Sequence, residues 1–190
     1  MAFNLSLLGA SGGGAAGAYD LLETTTLTSS ASSVTFSGLG AYSDYAHLQI
    51  RAVARTNRPT YDIDTILMRL NGDSGSNYIV HALDGDGSAV DSSSFVGQTA
   101  IRLNWLPSNV TTDAFGSFIL DVLDFQNASK NTTTKALIGY VNSTYPRIGL
   151  DSGLWNSTSA VTSISFASNE GGSVGWTSGS RFSLYGIKGA

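Results

Sequence analysis

Between Tyr45 and Arg55 the chain alternates. Leu48, Ile50, Ala52 and Ala54 are apolar, and His47, Gln49, Arg51 and Arg55 between them are polar or charged, with Val53 the exception. A period of two puts one set on each face of an extended strand, so this segment reads as a β-strand with one buried and one wet face. Shorter β-prone runs recur at 22–27, 33–36, 63–70, 77–83, 99–106, 116–125, 135–141, 160–167 and 181–187. In 63–70, Ile66, Met68 and Leu70 share a face opposite Thr65 and Arg69. Turn chemistry separates the runs. Asn57-Arg58-Pro59 ends the first strand because proline has no N–H for a ladder, and Asn71-Gly72-Asp73-Ser74-Gly75 tolerates positive φ. No window of about 12 residues carries a 3.6-residue period. The pattern predicts one all-β domain, an antiparallel sandwich over 19–190.

Two segments depart from alternation. Phe118-Ile119-Leu120-Asp121-Val122-Leu123-Asp124-Phe125 is apolar on both faces, and so is Ala136-Leu137-Ile138-Gly139-Tyr140-Val141. One face of each covers the core, and the other needs a cover of its own. A loop, the N-terminal arm or a neighbouring subunit could supply it, and a second copy of the chain is the expected one, because large exposed apolar patches mark interaction sites. Phe118, Leu120, Ile138 and Tyr140 are the candidate oligomer interface. Ahead of the domain, residues 1–18 form an arm. Phe3, Leu5, Leu7 and Leu8 give it an apolar tip, and a Gly/Ala/Ser linker follows at 9–17. The tip is the candidate anchor to a neighbouring protein. A secretory signal is not expected, since the stretch lacks a basic start and Asn4 and Ser6 interrupt its apolar core.

At 190 residues the chain is large enough to bury a sizeable core, roughly 70% of its unfolded surface. It has no cysteine, so packing and hydrogen bonds must hold it, and thiolate metal sites are excluded. Net charge is −4, with Lys and Arg scattered, so there is no basic stripe for nucleic acid. No apolar run approaches the ~20 residues of a membrane helix.

Neither motif that resembles chemistry survives scrutiny. Gly72-Asp73-Ser74-Gly75 resembles a serine-protease segment, but His47 and His81 are the only histidines and neither has a triad context. Gly171-Gly172-Ser173-Val174-Gly175 fits G-x-S-x-G without the helix that elbow requires. Asp84-Gly85-Asp86-Gly87 offers two carboxylates, and ordinary turn chemistry accounts for them better than Ca²⁺ does. No catalytic residue, metal ligand or cofactor is therefore assigned. Sequons at Asn4, Asn109, Asn127, Asn131, Asn142 and Asn156 are what a Ser/Thr-rich composition produces. Tyr42, Tyr45, Trp155 and Trp176 are the aromatic candidates for contact with a glycan, because a ring face stacks on a pyranose; packing under a loop is the alternative fate.

The C-terminal Ser178-Gly179-Ser180-Arg181-Phe182-Ser183-Leu184-Tyr185-Gly186-Ile187 resembles the closing strand of virion structural proteins from marine tailed bacteriophages. Similar to segments of those proteins are also Tyr45-Ala46-His47-Leu48-Gln49-Ile50-Arg51, the Asn71-Gly72-Asp73 turn, Leu123-Asp124-Phe125-Gln126-Asn127 followed by Lys130 and Lys135, and Ile164-Ser165-Phe166. The resemblance spans roughly 19–187. It implies a jelly-roll sandwich, no enzymatic activity, assembly as a homotrimer, and a place in the phage particle after synthesis in the host cytoplasm. The expected role is head decoration, a knob or an appendage, attached to other virion proteins through the arm. The alternative is a tail-fibre tip or carbohydrate-binding module that recognises host surface glycans.

Overall fold

The computed structural model describes residues 17–108, 113–141 and 146–189. The candidate anchor residues Phe3, Leu5, Leu7 and Leu8 lie outside them, as do the sequons at Asn4, Asn109 and Asn142. The described residues form twelve strands: β1 (Tyr19–Thr26), β2 (Ser33–Ser37), β3 (His47–Ala54), β4 (Ile63–Leu70), β5 (Tyr78–Gly85), β6 (Val90–Gln98), β7 (Ile101–Pro107), β8 (Gly116–Leu123), β9 (Thr132–Tyr140), β10 (Arg147–Trp155), β11 (Ser163–Ser168) and β12 (Arg181–Ile187). They make two sheets, one of eight strands in the order β1-β12-β3-β8-β9-β10-β5-β6, and one of four in the order β2-β11-β4-β7. Every pairing is antiparallel. The protein is an all-β antiparallel sandwich, and the repeated passage of the chain between its sheets is compatible with a jelly roll.

The alternating segment is β3, in the middle of the large sheet between β12 and β8. Leu48, Ile50, Ala52 and Ala54 are buried as its period requires. They meet Phe118, Leu120 and Val122 of β8, Phe182 and Leu184 of β12, and the inward side chains of β4 and β11. Four rings tie the sheets together: Phe118 and Phe182 from the large sheet, Phe166 from the small one, and Trp176 from the β11–β12 loop, with centroids 4.8–6.2 Å apart. Burial of such rings supplies much of the driving force for folding. Asn71 and Gly72 take φ of 55° and 67°, as their turn demanded. The Asn71 amide then pins the next crossover, accepting N–H bonds from Thr162 and Ser163 and donating to Ala160 O.

Two strands were not foreseen. β6 (VDSSSFVGQ) is largely exposed and rich in serine, so it carries almost no burial signal. β10 (RIGLDSGLW) inverts the usual code: its inward residues are Gly149, Asp151, Gly153 and Trp155, while Ile148 and Leu150 face out. The inward glycines answer to β7, which packs across β9 and β10. A Cβ at Gly153 would lie 2.6 Å from Thr134 Oγ1 and 2.8 Å from Ile101 Cδ1.

Candidate interaction face

The inner face of the large sheet packs on the small sheet, and its outer face presents the other side chains of eight strands. Register places eight residues in one row across it: Thr24, Ser183, Arg51, Ile119, Leu137, Leu150, Leu83 and Ser92. The four in the centre are apolar and about half exposed: Ile119 40%, Leu137 52%, Leu150 45% and Leu83 47%. Ile148 and Val90 extend the patch towards the sheet end and are still more exposed. Two shallow grooves lie in it. One of about 470 Å³ runs over β8, β9 and β10 beside Phe115, Ile119 and Val141. The other, about 240 Å³, lies between Leu83, Val90, Leu137 and Leu150. Directly opposed apolar pairs support each other within a sheet, but here they leave a contiguous wet hydrocarbon surface.

The expected interface residues are corrected by this register. Phe118, Leu120, Ile138 and Tyr140 face the sandwich interior and are no more than 5% exposed. The outward set of the same strands is Ser117, Ile119, Asp121 on β8 and Lys135, Leu137, Gly139 on β9. Asp121 and Lys135 mark that parity as the wet one, a signal present in the sequence.

The aromatic candidates are corrected too. Trp176 is fully buried, its Nε1–H donating to Phe166 O (3.1 Å), and Trp155 is 3% exposed, its Nε1–H donating to Asp73 Oδ2 (2.7 Å). Neither ring can stack on a sugar. Tyr42 and Tyr45 are partly buried against the core. Tyr45 donates to Asp20 Oδ2 (3.0 Å) and its ring lies on Gly186, where any Cβ would fall 2.5 Å from the ring. Stacked at the β1 edge of the outer face instead are the exposed Tyr19 and the half-buried Tyr185, 4.8 Å apart.

Potential reactive groups are dispersed. Ser74 lies in the β4–β5 turn and no hydrogen bond joins it to His81, which stands exposed on the outer face beside Ser152 and Ser94. His47 Nδ1 accepts the backbone N–H of Asp124 (2.9 Å). Asp124 also pairs with Lys130, whose hydrogen bond and charge hold its carboxyl below the usual range against the opposing effect of burial. Asp86 closes its own turn through Ser88 and Ala89 N–H, and these bonds bring its pKa down to about 2. Its other oxygen faces Arg147 (3.6 Å). Among the described residues no group of three or more His, Asp or Glu side chains is gathered so as to hold a metal ion.

One buried acid is unusual. Asp151 on β10 is 1% exposed, and Oδ2 accepts the Asn104 N–H (3.2 Å) while Oδ1 has no partner. Burial, helped by the nearby Asp84 charge and opposed by the Asn104 N–H, pushes its pKa up to about 7. Asn104 and Trp105 form the bulge in β7 that faces it, with Trp105 at φ 71° and Arg147 over its ring (5.5 Å).

No protein-family model matches this sequence, and no curated protein matches it at a significant level. Among solved structures, a marine PL-14 alginate lyase from Aplysia kurodai aligns with 75% of this chain and 70% of its own at 12% identity, with a TM-score of 0.30. The CBM2 module of the evolved Dit of Lactobacillus casei BL23 phage J-1 aligns with 90% of this chain and 77% of its own at 11% identity, with a TM-score of 0.27. At these scores neither likeness carries an argument about activity or ligand.

Proposed function

We propose that this protein is a non-enzymatic structural component of a bacteriophage particle, a head decoration or appendage protein, which assembles with copies of itself through the outer face of its large sheet. One observation carries the self-association: the apolar row Ile119–Leu137–Leu150–Leu83 crosses four adjacent strands and meets solvent. Exposed contiguous hydrocarbon of that kind is costly in water and is relieved by association. The resemblance of the β3, β11 and β12 segments to virion proteins supplies the particle context, with a trimer as the expected state and the arm as the expected attachment. The solution mass of the full chain and of a form lacking residues 1–18 tests the assignment. A stable oligomer in both supports the sheet face, and a monomer after truncation transfers the role to the arm and overturns it. Imaged particles separate the two locations, since copies on the head shell support decoration and copies confined to the tail support a fibre.

A further inference from the structure

The half of the outer face nearest β1 carries a second feature, which meets the apolar row only at Ile119. A cleft of about 480 Å³ lies over β1, β12, β3 and β8. Leu21, Val53 and Ile119 give it apolar walls, and the hydroxyls of Thr24 and Ser183 bond each other within it (3.0 Å). Arg51 and Arg181 line it, and no carboxylate does. Arg181 is opposite Val53 and Arg51 opposite Ser183, so the two arginines are diagonal neighbours on adjacent strands. That spacing brings both side chains within reach of one group between them.

Among the described residues, neither arginine has an ion pair within 4.0 Å. Arg51 is nevertheless held in place. Its Nε donates to Gln49 Oε1 (3.0 Å), and its guanidinium lies 5.3 Å and 5.5 Å from the ring centres of Tyr19 and Tyr185. The Tyr19 hydroxyl donates to the same Gln49 oxygen (2.6 Å). This bracing engages Nε, and among the described residues no hydrogen bond is made by the terminal N–H groups of Arg51. Asp121, the acid on the neighbouring cross-strand row, is taken by Gln49 (2.8 Å) and Lys135 (3.9 Å). The residues outside the description include no Asp or Glu, so none of them supplies the missing side-chain partner. Two neighbouring guanidinium groups without an acid repel each other, and an anionic ligand between them would relieve that repulsion.

We propose that this cleft binds an anionic polysaccharide, a chain of sugars bearing carboxylate or sulfate groups. The guanidinium groups match the anionic substituent in forked geometry. The apolar walls match the C–H faces of a pyranose, and Thr24 and Ser183 offer partners to its hydroxyls. An extended acidic peptide is a poorer fit, because strand addition would place it along the outer edge of β1, whereas Arg181 and Arg51 stand one and two strands further in, on β12 and β3.

Calorimetric titration with polygalacturonate, chondroitin sulfate, dextran and poly-L-glutamate tests the assignment, with circular dichroism confirming the fold of each variant. The expected result is binding of one or both anionic glycans, weakening as salt rises, with no binding of dextran. Arg51→Ala/Arg181→Ala should lower that affinity by about tenfold or more, as loss of charge-assisted contacts does, and Arg51→Lys/Arg181→Lys should restore part of it. Carboxylate and sulfate are distinguished by whichever glycan binds more tightly. No binding, binding of dextran, equal binding of poly-L-glutamate, or an unchanged affinity in the double alanine variant would each overturn the proposal.

Discussion

The two faces of the large sheet are built from the same strands and meet opposite fates. On β8 and β9 the inward Phe118, Leu120, Ile138 and Tyr140 vanish into the sandwich, while Ile119 and Leu137, one residue away, stand in water. The inner face is closed by the small sheet over it, so its side chains answer to packing. The outer face is closed by nothing in the chain described, and its side chains report what it is for. It divides again, into apolar residues over β8, β9, β10 and β5 and a tyrosine-braced arginine pair over β12 and β3. A sheet can carry both because cross-strand rows are independent of one another in chemistry and linked only by register.

The sharpest way to break the contrast is a matched pair on one strand. Phe118→Ala should cost about 3–5 kcal/mol of stability, the range for emptying a core aromatic site, and Ile119→Ala under about 1 kcal/mol in the unassociated protein. Urea denaturation at low protein concentration measures both, and equal losses would mean the outer face is covered from within.

The inner face also holds the acid that should make stability depend on pH. The Asp151 pKa is raised to about 7 in the folded protein against an ordinary 3.8. Between those values the folded chain keeps a proton that the unfolded chain has released, so stability falls as pH rises through that window. Asp151→Asn keeps an acceptor for the Asn104 N–H and removes the titration. Its melting temperature at pH 8 should exceed the wild-type value by about 3 °C or more, a gap that closes towards pH 4. A gap that fails to shrink at low pH would contradict the assignment.

Smaller effects refine the contrast. Trp155→Phe keeps the ring in the core and loses the N–H to Asp73, which should cost about 1 kcal/mol by thermal melting. Arg181→Ala, on the outer face, should leave stability within about 0.5 kcal/mol of wild type, as surface changes usually do.

The sandwich was readable because the period of two is written plainly in β3, β4 and β12, and because Asn71-Gly72 and Pro59 mark chain reversals. β10 was not, since its inward positions are two glycines, an acid and a tryptophan, and only the approach of β7 explains them. On β8 and β9 both faces are apolar, so hydrophobicity alone does not set their parity; Asp121 and Lys135 do. Trp155 and Trp176 could not be placed from sequence, because a tryptophan in a loop-rich stretch looks alike whether it packs or binds. The arginine cleft lay beyond reach for a different reason: Arg51 and Arg181 are 130 positions apart, and the β12–β3 register alone makes them neighbours.

The most direct test of association through the outer face is sedimentation equilibrium of the wild-type chain beside Leu137→Asp/Leu150→Asp. These two side chains oppose each other at the centre of the exposed row and are not part of the core cluster. The wild type should sediment as an oligomer and the folded double variant as a monomer. A wild-type monomer, or an oligomer that survives both aspartates, would contradict the account.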